Sequence, residues 1–460
     1  MIVLKFGGTS VGTAESLANV KKIVENLDQE AVVVVSALGG LTDRLIATAR
    51  MAAAGDTAYI QECDAMGRRH YDIIDNMVDP AKIPATLQKI RPILRELRRL
   101  YDGVNLIADL PDKTLAQIVS TGERMSSVIV AAMLDNATHL DSLQIIRTEK
   151  WFDKDIASSD LTESLIRKAL SSEYISYPVV MGGFISSDKN TGEITNLGRG
   201  GSDYTAALVA AATGADVLQI WTDVDGFLTC DPRIVPEARV IDRMSFVESM
   251  DLCTFGAKVI YPPTIYPVFH RNIPIRILNT HRPEAPGTFI SDNQDSAHPA
   301  VIGISALKEE ALITLRGDLA SDPAAISGRC FNALARKGLT VHLVALSTAF
   351  NSFSFAIAGS DTEAAVRLLK EEFAPELVDS QLEVLEVKSG LATIAVVGDN
   401  VKRLNGGSIL IRNILHNDGI DLYAYSDKAS ETSLSFVIEG KDMVRALRLL
   451  HRALFENPLK

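Results

Sequence analysis

A shift of 81 residues lays the last third of the chain onto itself. Without gaps it matches Gly317 to Gly398, Asp318 to Asp399, Leu334 to Leu415 and Gly338 to Gly419. The same shift matches Ser354-Phe355 to Ser435-Phe436, Ile357 to Ile438 and Leu368-Leu369 to Leu449-Leu450. Each copy reads strand, helix, Gly, strand, strand, helix. The strands are Ala311–Leu315, Thr340–Leu346 and Ser352–Ala358 in the first copy, then Thr393–Val397, Asp421–Tyr425 and Thr432–Ile438 in the second. Two βαββα copies in tandem are a duplicated small α+β module. Val301–Ala306 before the first copy and Leu382–Val387 after it are spare strands. Their presence predicts modules that share or nest strands.

The stretch at 281–300, HRPEAPGTFISDNQDSAHPA, continues neither a helix nor a central strand, because its prolines and small polar residues break both. The main domain boundary is expected there. Ahead of it the pattern is α/β. Ile2–Phe6, Ala31–Val35, Pro178–Met181 and Val217–Trp221 read as buried parallel strands, and Ala14–Leu27 and Ser202–Thr213 as helices between them. Alternation of this kind predicts a mainly parallel sheet sandwiched by helices. Residues 57–102 read as a long, charged helical excursion with a solvated face.

A net charge of −12 argues against non-specific binding to nucleic acid or anionic membrane. Cys63, Cys230, Cys253 and Cys330 form no CxxC, so neither a disulfide framework nor a structural zinc site is expected, and the cytoplasm is the natural compartment. No apolar run approaches the ~18 residues of a membrane span.

Three glycine-rich turns carry the chemistry. Lys5-Phe6-Gly7-Gly8-Thr9-Ser10 follows the first strand; glycines let a ligand approach the backbone, and a helix N-terminus receives anions. On the motif alone, a tight turn with an exposed Lys is equally good. It is neither a Walker A loop nor GxGxxG. Gly182-Gly183 and Gly198-Arg199-Gly200-Gly201-Ser202-Asp203 add two more turns. Together they suit a phosphate-rich ligand lying across the carboxyl ends of the strands. Arg199 offers a fork for a carboxylate or phosphate, with Asp203 near enough to hold it. Ser120-Thr121-Gly122-Glu123-Arg124 reads as a turn before an apolar helix, where an N-cap is the simpler explanation. Thr222-Asp223-Val224-Asp225-Gly226 is an acidic loop of the kind that binds metal or merely turns, and Lys258 alone is a solvated charge.

KFGGTSVG at the N-terminus, VVVSALGGLTDRL at 33–45, STGER at 120–124 and GFISSD at 183–188 resemble the motifs of aspartate kinases. So do GRGGSDYTA at 198–206, TDVDG and DPR within 222–233, and FGAKVIYPPT at 255–264. They stand in that family's order, and the tandem repeat resembles its paired ACT regulatory modules. The resemblance implies an amino-acid kinase domain over residues 1–285, a linker at 286–300, and ACT modules at 301–388 and 389–460, for which nesting is the alternative to separate modules. It implies ATP-dependent phosphorylation of the β-carboxylate of L-aspartate for lysine, threonine and methionine synthesis, with Mg²⁺ carried by the nucleotide and no protein-bound metal. Lysine or threonine is the implied effector, and a homodimer or larger homo-oligomer the implied assembly.

Carried over by motif, Lys5, Gly7, Gly8, Thr9 and Ser10 cradle the phosphates. Ser36, Thr42, Glu123, Arg199, Gly200, Gly201 and Ser202 form the aspartate pocket, with Lys5, Arg199 and Asp203 as catalytic residues. Thr222, Asp223, Leu228, Arg233, Lys258 and Val259 line the nucleotide. Leu228 departs from the aromatic common in relatives. The first module has Ser347-Thr348-Ala349-Phe350-Asn351-Ser352, with no acid, where relatives carry a Ser-Ser-Glu-like stretch; the second keeps Ser430-Glu431-Thr432-Ser433. The competing readings are a glutamate or acetylglutamate kinase, a catalytically dead amino-acid sensor, and the kinase part of a chain fused to homoserine dehydrogenase.

Overall fold

Five consecutive β-branched or small apolar residues, Ala31-Val32-Val33-Val34-Val35, are all buried, as a strand covered by helices on both faces requires. The structure, a computed structural model, describes the chain apart from residues 152–153, 293–298, 318–321, 348–351, 380–381, 400, 402–406, 427–431 and 457–460. Asp318, the Thr348–Asn351 stretch, Ser430-Glu431 and the middle of the expected linker lie outside the described residues.

In chain order the strands begin with β1 (Ile2–Phe6), β2 (Ala31–Val35), β3 (Thr138–Leu140), β4 (Arg147–Trp151), β5 (Lys154–Ala157) and β6 (Val179–Gly182). There follow β7 (Ile185–Asp188), β8 (Ile194–Asn196), β9 (Leu218–Thr222), β10 (Arg243–Met244), β11 (Ile275–Asn279) and β12 (Thr288–Ile290). The last are β13 (Gly303–Gly317), β14 (Val341–Ser347), β15 (Ser352–Ala358), β16 (Leu382–Val397), β17 (Ala424–Ser426) and β18 (Ser433–Glu439). Helices of the first part are α1 (Ala14–Glu25), α2 (Leu41–Ala53), α3 (Tyr59–Met77), α4 (Ile83–Ile107), α5 (Asp112–Met133), α6 (Ser159–Leu170) and α7 (Gly201–Thr213).

The chain divides into two compact units, Met1–Gly226 with Ile260–Asp292, and Phe227–Val259 with Asn293–Lys460. In the first unit the strands run side by side in the order β12-β11-β9-β1-β2-β6-β3. β9, β1, β2 and β6 are parallel to their neighbours, and only β12 is antiparallel, against β11. A small sheet, β5-β4-β7-β8, lies beside it in sequence. α7 packs on β1, β2 and β9, and its alanines are buried around most of the helix. The charged excursion resolves into α3 and α4, whose inward residues, among them Met66, Ile74, Leu97 and Tyr101, join the core of this unit.

The second unit is built on one sheet of order β14-β15-β13-β16-β18-β17. The spare strands are not separate. Val301–Ala306 runs on into β13, and Leu382–Val387 is the start of β16, so each module lends the other half of a long central strand. The long strands bend at Glu309 (φ 54°) and Gly390 (φ 74°), which are again 81 residues apart. A glycine approaches each bend closely: a Cβ on Gly359 would lie 2.4 Å from the Glu309 carbonyl oxygen, and one on Gly440 2.6 Å from that of Gly390. Each half of the sheet carries its own helices. Cys330, Leu334, Ala365 and Leu369 pack on Ile313 and Phe355; Ile411, Leu415, Leu447 and Leu450 pack on Ile394 and Phe436.

Residues 227–259, read from sequence as part of the kinase domain, group with this second unit. The reason is burial: Cys230, Ile234 and Val235 sit in the same core as Ile394, Val396 and Phe436.

Candidate active site

β1 and β2 end side by side, and the turns that follow touch backbone to backbone. A Cβ on Gly8 would lie 3.1 Å from the Ala37 carbonyl oxygen, and one on Gly39 3.0 Å from that of Gly8. Only glycine allows this approach without displacement, so the two turns form a single floor. Gly7 N–H donates to the Trp221 carbonyl at 3.1 Å, and Gly183 N–H to the Val35 carbonyl at 2.8 Å, tying the turns after β1, β2, β6 and β9 together.

The third turn approaches from the start of α7. Gly198 and Gly200 are both left-handed (φ 72° and 69°), which swings the chain from β8 into the helix with Arg199 between them. Gly200 has no substitute here, since a Cβ would lie 2.2 Å from Tyr261 Cβ. Gly201, Ser202 and Asp203 then form the first helical turn.

A cavity of about 370 Å³ lies between these turns. Lys5, Gly8, Ser36, Thr42, Glu123 and the run Arg199 to Asp203 line it, so most of the sequence-derived pocket is brought together. Lys5 Nζ meets Asp203 Oδ1 at 2.5 Å, with side-chain exposures of 11% and 13%. The sequence reading had Asp203 hold Arg199; the structure gives it to Lys5 instead. Lys5 rises from β1 directly opposite the first turn of α7, whereas Arg199 is exposed on the loop before it.

Glu123 does not cap a helix. STGER lies in the middle of α5, where the Ser120 and Thr121 hydroxyls donate back to the Gln117 and Ile118 carbonyls. Gly122 is there for packing, because its Cβ would lie 2.8 Å from Ala37 Cβ. This brings α5 against the turn after β2 and delivers Glu123 to the cavity. Its Oε2 is buried with no hydrogen-bond partner. Burial pushes the carboxyl up to about 8, against backbone hydrogen bonds at Ala37 and Glu123 that pull it down.

Ser10 is fully buried, and its hydroxyl is within 2.7 Å of Thr280 Oγ1, so it braces the turn. Gly7, Thr9, Thr222 and Asp223 lie outside the cavity lining. Asp225 of the acidic loop is held by Asn279 (2.7 Å) and Arg282. Among the described residues no group of three His, Cys, Asp or Glu side chains is placed to hold a metal ion. Leu228, Arg233, Lys258 and Val259 belong to the second unit. There Arg233 is gripped by Asp231 at 2.9 and 2.8 Å, and Lys258 is exposed. The lining residues that sequence reasoning missed are Ala37, Leu38, Gly39, Gly40, Asp43 and Phe184. Gly39-Gly40 before α2 was the available signal, a glycine pair of the same kind as Gly7-Gly8.

Residues 1–279 match the amino acid kinase family, and residues 394–454 match an ACT domain. The chain therefore belongs to the amino acid kinase family. It is 34% identical over 474 residues to a bifunctional aspartokinase/homoserine dehydrogenase of Haemophilus influenzae, covering 99% of this chain and 57% of that protein. It is 30% identical over 468 residues to the lysine-sensitive aspartokinase 3 of Escherichia coli, covering 99% of each. Its fold is similar to that of E. coli aspartokinase III in complex with aspartate and ADP in the R-state, with a TM-score of 0.84 at 29% identity over 99% of this chain and 100% of that one. Within the wider family the chain falls among the aspartokinases.

Proposed function

We propose that the protein is an aspartate kinase, converting ATP and L-aspartate to ADP and 4-phospho-L-aspartate at the cavity between the glycine turns. The observation that carries this reading is the pairing of a neutralised acid with an orphaned one. Asp203 pairs with Lys5, while Glu123 Oε2 is buried with no hydrogen-bond partner. A buried carboxylate without a partner is costly, and a substrate ammonium would supply what is missing. Arg199, exposed at the mouth, is the counterpart for the substrate α-carboxylate, and its planar fork suits that group.

With the amino acid held at both charged ends, its β-carboxylate is the free nucleophile. An aspartate side chain, with an ordinary pKa near 3.9, is already ionised at neutral pH, so no general base is required. One carboxylate oxygen bonds to the γ-phosphorus, the bond from that phosphorus to the β–γ bridging oxygen breaks, and the electron pair stays on ADP. The difficulty is bringing two anions together. The Lys5 ammonium, the amides at the start of α7 and the Mg²⁺ of the substrate nucleotide supply positive potential for the transferring oxygens. Thr222, Asp223, Leu228, Arg233, Lys258 and Val259 are assigned to the nucleotide. Lysine is the effector we assign to the ACT modules, in a cytoplasmic homo-oligomer.

Coupled detection of ADP with aspartate, glutamate and N-acetylglutamate tests the assignment. ADP release that depends on aspartate alone is expected; release with either of the others, or none with any, refutes it. The identity to the Haemophilus protein favours a second reading, in which this chain is the kinase portion of a fused enzyme. NADPH-dependent homoserine formation by the protein encoded by the full reading frame decides that point.

A further inference from the structure

The segment Phe227–Val259 carries Leu228 and Arg233, yet it is built onto the final helix of the second unit, Met443–His451. Its apolar residues set it there, with Ile234 and Val235 buried beside Leu447 and Leu450. Its polar groups are then fixed from the same helix. Arg448 Nε donates to the Ile234 carbonyl at 3.0 Å. His451, 1% exposed, places Nε2 3.0 Å from Thr229 Oγ1 and Nδ1 2.9 Å from Glu456 Oε1. The Arg239 amide donates to the same Thr229 oxygen at 3.1 Å. Both ring nitrogens are thus engaged, one by the Thr229 hydroxyl and one by the Glu456 carboxylate.

A hydroxyl, an imidazole and a carboxylate in line also describe a nucleophile with its base and orienting acid. Thr229 is only 4% exposed and already accepts the Arg239 amide, so its hydroxyl is not presented to a substrate. Its geometry is that of a clamp. The clamped residues, Thr229 and Ile234, bracket the loop in which Asp231 grips Arg233, and Leu228 is next to the first of them.

We infer that His451 and Arg448 are positioning residues for the nucleotide: they hold Thr229 and Ile234, and thereby set Leu228 and Arg233. The inference rests on the assignment of Leu228 and Arg233 to ATP made above. The expected consequence is a change in nucleotide affinity with aspartate affinity left alone.

The test is steady-state kinetics with each substrate varied in turn, together with direct titration of ADP, on His451→Ala, Thr229→Val and Arg448→Ala. Each variant is expected to raise the KM for ATP and the Kd for ADP about tenfold, with kcat and the KM for aspartate within about twofold. His451→Gln, whose amide reaches Thr229 in place of Nε2, should recover most of the nucleotide affinity. Arg445→Ala, whose guanidinium pairs instead with Asp418 and Asp442, should change neither constant. Arg448→Ala keeps the question open to refutation if His451→Ala does not fold. Equal losses for both substrates, or no recovery with Gln, would reduce the clamp to a fold-stabilising contact and overturn the inference. Arg233→Ala separates the two levels: unchanged ATP and ADP constants there would remove the nucleotide assignment itself. A rise in Arg233→Ala alone, with His451 and Arg448 variants like wild type, would remove only the clamp.

Discussion

Glu123→Gln isolates the charge of a buried cavity acid whose Oε2 has no hydrogen-bond partner. Burial moves this carboxyl from an ordinary 4.5 to about 8, which corresponds to on the order of 5 kcal/mol against ionisation in the folded, empty enzyme. The folded value is the raised one. The carboxyl's contribution to stability is therefore complete below pH 4.5 and is lost as pH rises from there to about 8. Glutamine, neutral throughout, removes that slope, so the variant should outlast the wild type in thermal unfolding at pH 8 and above, by a few kcal/mol.

The same replacement should damage catalysis. An amide cannot neutralise the substrate ammonium, and losing a charge-assisted hydrogen bond costs about 1.5–3 kcal/mol, or roughly 10- to 150-fold in kcat/KM for aspartate. In the wild type, aspartate binding must expel the Glu123 proton. Near pH 7 a group titrating at about 8 is roughly nine-tenths protonated, so close to one proton per site should be released on binding. Calorimetry in buffers of different ionisation enthalpy measures that number, and the kcat/KM profile should climb toward a plateau above pH 8. A Gln variant within twofold of wild type for aspartate would refute the reasoning, as would aspartate binding with no proton release at pH 7.

Lys5→Ala should lower kcat by about 10²–10³ while the protein still folds; a folded variant retaining a tenth of wild-type kcat counts against its role. Arg199→Lys keeps the charge and loses the fork, and should cut kcat/KM for aspartate by roughly 10- to 150-fold with the KM for ATP unchanged. Gly200→Ala places a methyl 2.2 Å from Tyr261 Cβ and forces alanine into a left-handed turn, so activity should collapse in an otherwise folded protein, as read by circular dichroism and ADP release. Truncation at residue 308 cuts inside β13 and strips the cover from Cys230, Ile234 and Val235. The product should aggregate on size-exclusion chromatography rather than behave as an enzyme merely freed of feedback control.

The parts that were legible in sequence are those whose signal is local. β1, β2 and β15 have the bounds that their apolar runs suggest, and α7 starts one residue before the expected Ser202. Gly122 misled because glycine signals a turn, whereas here it thins a helix so that Ala37 can approach. The continuous β13 and β16 were hidden by Lys308-Glu309-Glu310 and by Ser389-Gly390, polar breaks that read as strand ends and are in fact bends in the ladder. Glu310 shows why the polar run stays in the strand: it is 1% exposed, with His342 Nδ1 at 2.9 Å and the Thr393 hydroxyl at 3.3 Å. The Lys5–Asp203 pair spans strand and helix ends far apart in sequence, and no spacing rule could prefer it over Arg199 four residues away. Residues 227–259 carry kinase motifs on a segment whose Cys230, Ile234 and Val235 are buried in the core of the second unit, a division of labour that motif order does not reveal.

Two of the acids lining the cavity, Asp203 and Glu123, differ in what each is given. Asp203 stands in the first turn of α7, where the helix N-terminus and Lys5 both favour a negative charge. Its pairing leaves the lysine fixed at the mouth of the Gly7-Gly8 turn and available to oxygens that become more negative during transfer. Glu123 comes from mid-helix, where no N-terminal amides are free to receive it, and is walled by glycine-thinned backbone at Gly122 and Gly182. It can ionise at modest cost only when a cation arrives with the ligand. An amino acid with a free ammonium meets that condition, and one whose nitrogen is acylated leaves the acid as uncompensated as the empty cavity does. On the proposed assignment, selection for a free amino acid would follow from this unpaired buried carboxyl, and the pH at which Glu123 titrates would measure the effect.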